Sequence, residues 1–275
     1  ASDVYKRQRF NGSYFNFYPL HYLYKASSIK VLSVHLPHTV IPTGCKSLDS
    51  MLNGGFKSRC LYLVYGGAET GKTTLAIQLA VNAAKMGFKS IYVDSEQSFS
   101  TERLSQISGS NLGAVSPSIL ILRPEDFNMQ GYLIDHLHEY LTGRVALIIF
   151  DTITSLYRIE LGNRKETFTL NRELNRQLAF IADAVKNSNA AALITSQVRQ
   201  QLSLNIESDG VEPVATRVLN YWSDVVIHLD KTSSGGVITV SVEKGFHSGS
   251  PTNLKLKICK EGIRDFEDEF EVKGD

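Results

Sequence analysis

Short apolar runs alternate along the chain with longer segments rich in helix-forming residues. The runs predict strands at residues 60–65, 89–94, 118–123, 145–151 and 190–196. The intervening segments predict helices at residues 75–85, within 98–108, at 129–141 and at 170–186, and a short helix is expected within 43–55. Strands that are apolar throughout are buried on both faces, which is typical of a parallel sheet covered by helices on either side. The pattern therefore predicts repeated β–α units in a single α/β domain.

The pattern changes after residue 224. Residues 225–229, 237–242 and 254–258 are rich in β-branched and aliphatic side chains, and a Ser-Ser-Gly-Gly turn separates the first two segments. Short strands joined by a tight turn are typical of antiparallel pairing. We therefore expect these strands to complete the sheet as antiparallel neighbours.

The first forty residues have no clean period, and we place the domain at residues 41–275. Residues 1–8 resemble the in-frame translation of a sequencing adaptor and are interpreted as an artefact of sequence assembly. Residues 9–40 are crowded with Phe and Tyr. They are either an aromatic tail that docks on a partner or on the core, or translated upstream sequence from an A/T-rich genome, and we favour the second interpretation. In both cases the segment is too short and irregular for an independent globular domain.

Charge and cysteine content narrow the class of protein. The net charge is +1, so no global basic field indicates nucleic acid, and any DNA binding must come from local patches. Cys45, Cys60 and Cys259 are widely spaced, which argues against a disulfide or zinc framework and favours the reducing cytoplasm. No apolar run approaches membrane-spanning length, so no membrane partner is expected.

The most specific motif lies where the first long strand turns into a helix. Residues 66–73 match the phosphate-loop pattern G-x-x-x-x-G-K-[ST] in the strand–loop–helix context that the pattern requires. Glycines let successive N–H groups point at phosphate oxygens, and the helix N-terminus adds its positive dipole. Lys72 supplies a charge for the β- and γ-phosphates, and the Thr73 hydroxyl can bind Mg²⁺. The predicted residues of a nucleoside triphosphate site are Gly66, Gly67, Ala68, Glu69, Thr70, Gly71, Lys72, Thr73 and Thr74.

Three polar residues lie at or just past the ends of predicted strands. Asp151 closes one apolar run, Glu96 lies two residues past another, and Gln197 follows a third. Ligands of open α/β sheets gather at the carboxyl ends of the strands. Asp151 has the form of a Walker B aspartate, which holds Mg²⁺ through its water shell. Glu96 could activate an attacking water, and Gln197 could hydrogen-bond a γ-phosphate. Glu69 adds a carboxylate near the phosphates, which is consistent with slow turnover.

Together with these motifs, four further segments resemble the RecA/RadA recombinase superfamily, and the similarity covers about residues 41–264. They are residues 43–55, 94–104, 150–155 and 195–198. The stretch 218–224 is similar to that of the archaeal RadB branch. The resemblance implies a RecA-like P-loop ATPase core with a mostly parallel central sheet flanked by helices. It also implies that Glu96 polarises the hydrolytic water, that Gln197 senses the γ-phosphate, and that Arg103 lies near the adenine.

The same resemblance implies two DNA-facing loops, at about residues 158–169 and 198–217. The candidate DNA-binding residues on these loops and on the helix after the first are Arg158, Arg164, Lys165, Arg172, Arg199 and Arg217. The second loop also carries Glu207, Asp209 and Glu212 and has no aromatic residue. Single-stranded DNA is usually held by basic and aromatic side chains together. We therefore expect binding of single-stranded or branched DNA with moderate affinity.

The predicted function is an ATP-binding and DNA-binding accessory protein of DNA repair and homologous recombination. We expect weak Mg²⁺-dependent ATP hydrolysis and little or no strand exchange. Two alternatives stay open: a filament-forming strand-exchange recombinase, and a KaiC-like regulatory ATPase that acts on protein partners. The resemblance also suggests contacts with a recombinase, a junction resolvase or DNA polymerase subunits, and leaves room for a homo-oligomer.

Overall fold

The computed structural model describes residues 7–10, 13–16, 39–161, 164–197, 211–245 and 253–266. Two short strand pairs are β1 (Arg7–Phe10) with β2 (Ser13–Asn16), and β3 (Val40–Ile41) with β4 (Phe56–Lys57). The strands of the large sheet are β5 (Leu61–Gly66), β6 (Lys89–Asp94), β7 (Ile119–Leu122), β8 (Val145–Asp151), β9 (Ala191–Gln197), β10 (Val225–Lys231), β11 (Val237–Lys244), β12 (Asn253–Cys259) and β13 (Gly262–Asp265). The helices are α1 (Lys46–Met51), α2 (Lys72–Lys85), α3 (Thr101–Ser108), α4 (Leu112–Val115), α5 (Phe127–Asp135), α6 (Leu137–Tyr140), α7 (Ser155–Ile159), α8 (Arg164–Lys186) and α9 (Val211–Trp222).

The large sheet has the strand order β13-β12-β11-β10-β5-β9-β8-β6-β7. Neighbouring strands from β10 to β7 are parallel, whereas the neighbours between β10 and β13 are antiparallel. The expected RecA-like α/β fold, with a mostly parallel sheet and antiparallel C-terminal strands, is thereby confirmed. The strand that leads into the phosphate loop, β5, lies between β9 and β10, so the carboxyl ends of three parallel strands meet beside the loop.

Alternate residues of β5 pack into two different hydrophobic cores. Tyr62 and Val64 belong to the core that includes residues of α2 and α3, whereas Leu61 and Leu63 belong to the core that includes residues of α5 and α8. All four side chains are buried. Both faces of the strand leave water on folding, which explains why its sequence is apolar throughout instead of alternating.

The first C-terminal strand has one edge that the sequence did not predict. This strand, β10, runs parallel to β5, with Leu229 opposite Gly66, and only its other edge pairs antiparallel with β11. Antiparallel pairing from residue 225 onward is therefore confirmed for the neighbours between β10 and β13, and the parallel edge between β10 and β5 is an addition that the sequence did not predict. The short strand β13 was also not expected, because its four residues include Gly262, Arg264 and Asp265.

Two predicted helices depart from their expected bounds, and one helix was not predicted. Helix α8 begins at Arg164 and not at residue 170, because its first residues are charged helix formers that carry no apolar period. Helix α9 includes residues 211–217, the end of the second predicted loop; its proline falls in the first turn, where a missing N–H is tolerated. The predicted helix at 129–141 is divided at His136, whose Nδ1 lies 2.8 Å from the carbonyl oxygen of Tyr132.

The predictions for residues 1–8 and 9–40 fall largely outside the described residues, which there contain the antiparallel pair of β1 and β2 and the start of β3. Cys45, Cys60 and Cys259 are free thiols. Within the ranges that the structure describes, no helix is long and apolar enough to cross a membrane.

Candidate nucleotide-binding site

The phosphate loop occupies the sharp connection between β5 and α2. The loop turns through two residues with left-handed backbones, Glu69 (φ +60°) and Gly71 (φ +93°). A Cβ on Gly66 would lie 2.1 Å from the carbonyl oxygen of Leu229, and one on Gly71 would lie 2.9 Å from Cδ1 of Ile258. Side chains are therefore excluded at both glycines, and the backbone itself forms the surface of the turn.

Lys72 is the first residue of α2 and is buried against the loop. Its Nζ donates hydrogen bonds to the carbonyl oxygens of Gly66, at 3.0 Å, and of Gly67, at 2.5 Å. Burial lowers the pKa of Lys72, and the nearby carboxylates of Asp151 and Glu96 oppose that effect. Lys72 therefore lies close enough to both predicted acidic residues, Asp151 and Glu96, to interact with their charges.

Asp151 ends β8 and its carboxylate is held from two sides. Oδ2 accepts a hydrogen bond from the hydroxyl of Tyr92, at 2.6 Å, and Oδ1 accepts one from the hydroxyl of Thr195, at 2.5 Å. Burial, and then the adjacent Asp151, raise the pKa of Tyr92 well above its ordinary value, so the phenol remains a donor. These bonds fix the orientation of a buried carboxylate that is 1% exposed, as a residue that holds a metal-bound water requires.

Glu96 lies in the turn after β6 and meets residues from two other strand ends. Its Oε1 accepts a hydrogen bond from the Thr152 hydroxyl, at 2.5 Å, and another from Nε2 of Gln197, at 3.3 Å. Gln197 is the last residue of β9, directly opposite Gly66 in the parallel register. A carboxylate and an amide therefore stand together beside the phosphate loop, where the first could accept a proton and the second could bond to a phosphate oxygen.

A cleft of about 550 Å³ connects the phosphate loop with Glu96 and Gln197, and Thr152, the neighbour of the buried Asp151, also lines it. Its lining residues are Glu69, Gly71, Lys72, Thr73, Thr74, Glu96, Arg103, Gln106, Thr152, Gln197, Ile258, Cys259 and Lys260. The volume lies in the range of small-molecule sites. A glycine-rich turn, a helix N-terminus, a lysine and a threonine hydroxyl at one end fit a polyphosphate with its Mg²⁺. The residues present therefore suit a magnesium-bound nucleoside triphosphate.

Arg103 forms part of the cleft wall. Its guanidinium donates to the carbonyl oxygens of Cys259, at 2.8 Å, and of Lys260, at 2.9 Å, and to Oε1 of Gln106, at 3.0 Å. These bonds join α3 to the turn between β12 and β13 across the cleft. Arg103, the residue predicted to lie near the adenine, is thus held in place by main-chain carbonyl groups.

The candidate DNA-binding residues are dispersed over several elements. Arg158 lies in α7 and donates a hydrogen bond to the main-chain carbonyl of Gln197, so it adjoins the nucleotide cleft. Arg172 is exposed on α8 and Arg217 is exposed on α9, and the two helices pack together. Arg164 and Lys165 are the first two residues of α8, and their side chains are not among those that the structure describes. Arg199 lies outside the described residues. Most of the segment expected as the first loop is helical, and so are residues 211–217 of the second; residues 198–210 lie outside the described residues.

Several residues of the site were not predicted. Tyr92, Thr152 and Thr195 carry the hydrogen bonds that orient the acidic residues, and all three are buried. Thr152 follows the predicted Walker B aspartate directly, so its position in the chain could have identified it. Tyr92 and Thr195 lie inside apolar strands, and the only sign of their role in the sequence is a polar hydroxyl among apolar residues. Lys231 forms an ion pair with Glu69, at 2.8 Å, which no local pattern indicates.

Comparison with known proteins identifies the family and agrees with the fold. The family model described as Rad51 matches residues 37–266. A DNA repair and recombination protein RadB from Methanococcus maripaludis strain C7 is 34% identical over 217 residues, which cover 78% of this chain and 96% of that protein. The RadB protein of Methanosphaera stadtmanae is 32% identical over 239 residues, 86% of this chain and 100% of that protein. The crystal structure of a RadB recombinase superposes with a TM-score of 0.69 at 31% identity, covering 83% of this chain and all of that one. The chain therefore belongs to the Rad51 family, as one of its RadB proteins.

Proposed function

We propose that this chain is an ATP-binding and DNA-binding accessory protein of DNA repair and homologous recombination. In this proposal it hydrolyses ATP weakly with Mg²⁺ and performs little or no strand exchange. The observation that carries it is the convergence of Asp151, Glu96 and Gln197 beside the loop that holds Lys72. Relatives named DNA repair and recombination protein support the biological process.

The loop and its helix support the proposal of nucleotide binding. The loop amides and Lys72 would hold the phosphates, and Thr73 and Asp151 would hold Mg²⁺, directly and through water respectively. Bound Mg²⁺ supplies positive charge that offsets the charge developing on the phosphate oxygens. To accept the charge of the γ-phosphate, the Lys72 ammonium must exchange its bonds to the Gly66 and Gly67 carbonyls for phosphate oxygens.

Hydrolysis needs a water aligned with the γ-phosphorus and a group that takes its proton. Glu96 is the carboxylate best placed for this role, since it borders the cleft beside Gln197. Water attacks phosphorus, the bond to the ADP oxygen breaks, and the proton of the water passes to Glu96. Thr152 and Gln197 both donate to Oε1 of Glu96. Rearrangement of this hydrogen-bond set before the water binds would slow the reaction, which supports weak turnover.

DNA binding in this proposal rests on a small number of basic side chains. Arg172 and Arg217 are exposed on neighbouring helices, and Arg164 and Lys165 lie in the first turn of α8. About three to five phosphate contacts would give a log–log salt slope near −0.9 per contact on duplex DNA, or −0.7 on single strands. A slope of that size corresponds to moderate, salt-sensitive binding, which suits an accessory role.

The test compares ATP hydrolysis with and without single-stranded DNA for the wild type, Glu96→Gln and the matched surface variant Glu139→Gln. We expect slow hydrolysis by the wild type and by Glu139→Gln, and binding without hydrolysis by Glu96→Gln. Electron microscopy with ATP and single-stranded DNA accompanies the assay. Continuous filaments with efficient strand exchange would contradict the accessory role and favour a recombinase. If no salt-sensitive binding of DNA is detected, a regulatory ATPase with protein partners would be favoured.

A further inference from the structure

The phosphate loop carries an acidic residue at its crest, Glu69. Its backbone is left-handed and its side chain is 85% exposed, at the border of the cleft. An unpaired carboxylate at this point would repel a bound polyphosphate, because like charges at short range oppose each other. The loop therefore contains an element that, alone, would weaken the binding of the ligand it is shaped to hold.

Lys231, which lies on a different strand, forms an ion pair with Glu69. It is the last residue of β10, which runs parallel beside β5 with Leu229 opposite Gly66, so Lys231 reaches two residues past the point where the phosphate loop begins. Its Nζ lies 2.8 Å from Oε2 of Glu69, and the lysine side chain is 52% exposed. The ion pair thus bridges the crest of the loop and the end of the adjacent strand.

The charge of Lys231 also reaches the interior of the site. Burial is the main cause that lowers the pKa of Lys72, and the positive charges of Lys231 and Arg158 lower it further. Exposed charges in salt affect each other only over about a Debye length, roughly 10 Å at 0.1 M. Lys231 consequently belongs to the same electrostatic environment as the phosphate-binding lysine.

We propose that Lys231 is a residue of the nucleotide site whose role is to neutralise Glu69, so that the pair sets the affinity of the cleft according to the charge of the nucleotide. The inference rests on the proposed nucleotide site and adds one residue to it. Because both side chains are solvated, the pair contributes little to the stability of the fold. Its main effect is on the affinity for a highly charged ligand, because removal of either partner changes the charge beside that ligand by one unit.

The test measures dissociation constants for MgATP, MgADP and adenosine at low salt, using Lys231→Ala, Glu69→Gln and the double variant. Lys231→Ala should weaken MgATP binding about three- to tenfold, and Glu69→Gln should tighten it by a similar factor. The double variant should return to within about twofold of the wild type, because the two charges are removed together. Effects should be smaller for MgADP, absent for adenosine, and reduced by salt.

Two further variants separate failure of this inference from failure of the site itself. Lys89→Ala, at the exposed start of β6, should bind every ligand as the wild type does. Lys72→Ala should abolish MgATP binding, and retained binding would mean that the nucleotide site is misassigned. If Lys72→Ala abolishes binding while Lys231→Ala changes MgATP affinity by less than about twofold, the role of Lys231 is overturned and the site stands. An equal change for adenosine and MgATP would overturn it as well.

Discussion

The hydrogen bond between Tyr92 and Asp151 should contribute measurably to folding, and Tyr92→Phe removes it with little other change. Tyr92 is fully buried, and its hydroxyl lies 2.6 Å from Oδ2 of an Asp151 side chain that is 1% exposed. The substitution keeps the ring, and with it the edge-to-face contact with Phe99, whose ring centroid lies 4.9 Å away. The packing is thus preserved, and the lost interaction is the one donated to the carboxylate.

The expected cost follows from the charge and burial of the acceptor. Hydrogen bonds to charged groups contribute about 1.5–3 kcal/mol, and an oxygen left buried without its donor keeps the full cost of its desolvation. In a domain of this size a change of 1 kcal/mol moves the unfolding midpoint by roughly 2–4 °C. Tyr92→Phe should therefore lower the midpoint by about 3–12 °C and reduce the free energy of unfolding by about 1.5–3 kcal/mol.

The measurement is thermal and urea unfolding of Tyr92→Phe beside Tyr221→Phe, a control in which the tyrosine is 74% exposed. The control should unfold within about 0.5 kcal/mol of the wild type. Thr195→Val removes the second donor to the same carboxylate, and its effect should not add to that of Tyr92→Phe because both partners share Asp151. If Tyr92→Phe were as stable as the control, or if the two losses simply summed, the account of a doubly held carboxylate would be refuted.

Two other features of the site give predictions of their own. Gly66→Ala places a Cβ 2.1 Å from the carbonyl oxygen of Leu229 and should cost about 2 kcal/mol or more in urea unfolding, whereas Gly143→Ala, with no atom within 4 Å, should be nearly neutral. Equal stability of the two variants would contradict the tight β5–β10 contact. Cys259 lines the cleft, so saturating MgATP should slow its alkylation by iodoacetamide, followed by mass spectrometry. Cys45, fully buried with a pKa raised by burial to about 12, should stay unmodified in both conditions; modification of Cys259 at an unchanged rate would place the nucleotide elsewhere.

The parallel half of the sheet was predictable because each of its long strands is a continuous apolar run. The pairing of β10 was not, since residues 225–229 have the same composition whether they lie parallel to β5 or antiparallel to a neighbour. That choice depends on where a strand distant in sequence finds a free sheet edge. Helix α9 was missed because its acidic and proline-containing start resembles a loop, although its amphipathic face packs Leu219 into the core.

The residues that touch the phosphate loop were predictable to the extent that they are local to it or end a strand. Lys72 follows from a motif, and Gln197 lies opposite Gly66 because parallel strands end at the same edge. The hydrogen bonds that orient Asp151 were not predictable. Their donors, Tyr92 and Thr195, lie 59 and 44 residues away in sequence, and only the register of the folded sheet brings them to the carboxylate. The roles of the basic residues remain predictions, since they depend on an arrangement of segments that lies partly outside the described residues.

The central claim is that the cleft beside β5 and α2 binds a nucleoside triphosphate, and the most direct test is ligand-dependent thermal stabilisation. A ligand present at 100 times its dissociation constant stabilises the folded state by about 2.7 kcal/mol, which in a domain of this size raises the midpoint by roughly 5–11 °C. The wild type and Lys89→Ala should show this rise with MgATP, and Lys72→Ala should show none. An unchanged rise in Lys72→Ala, or no rise in the wild type at millimolar MgATP, would contradict the account.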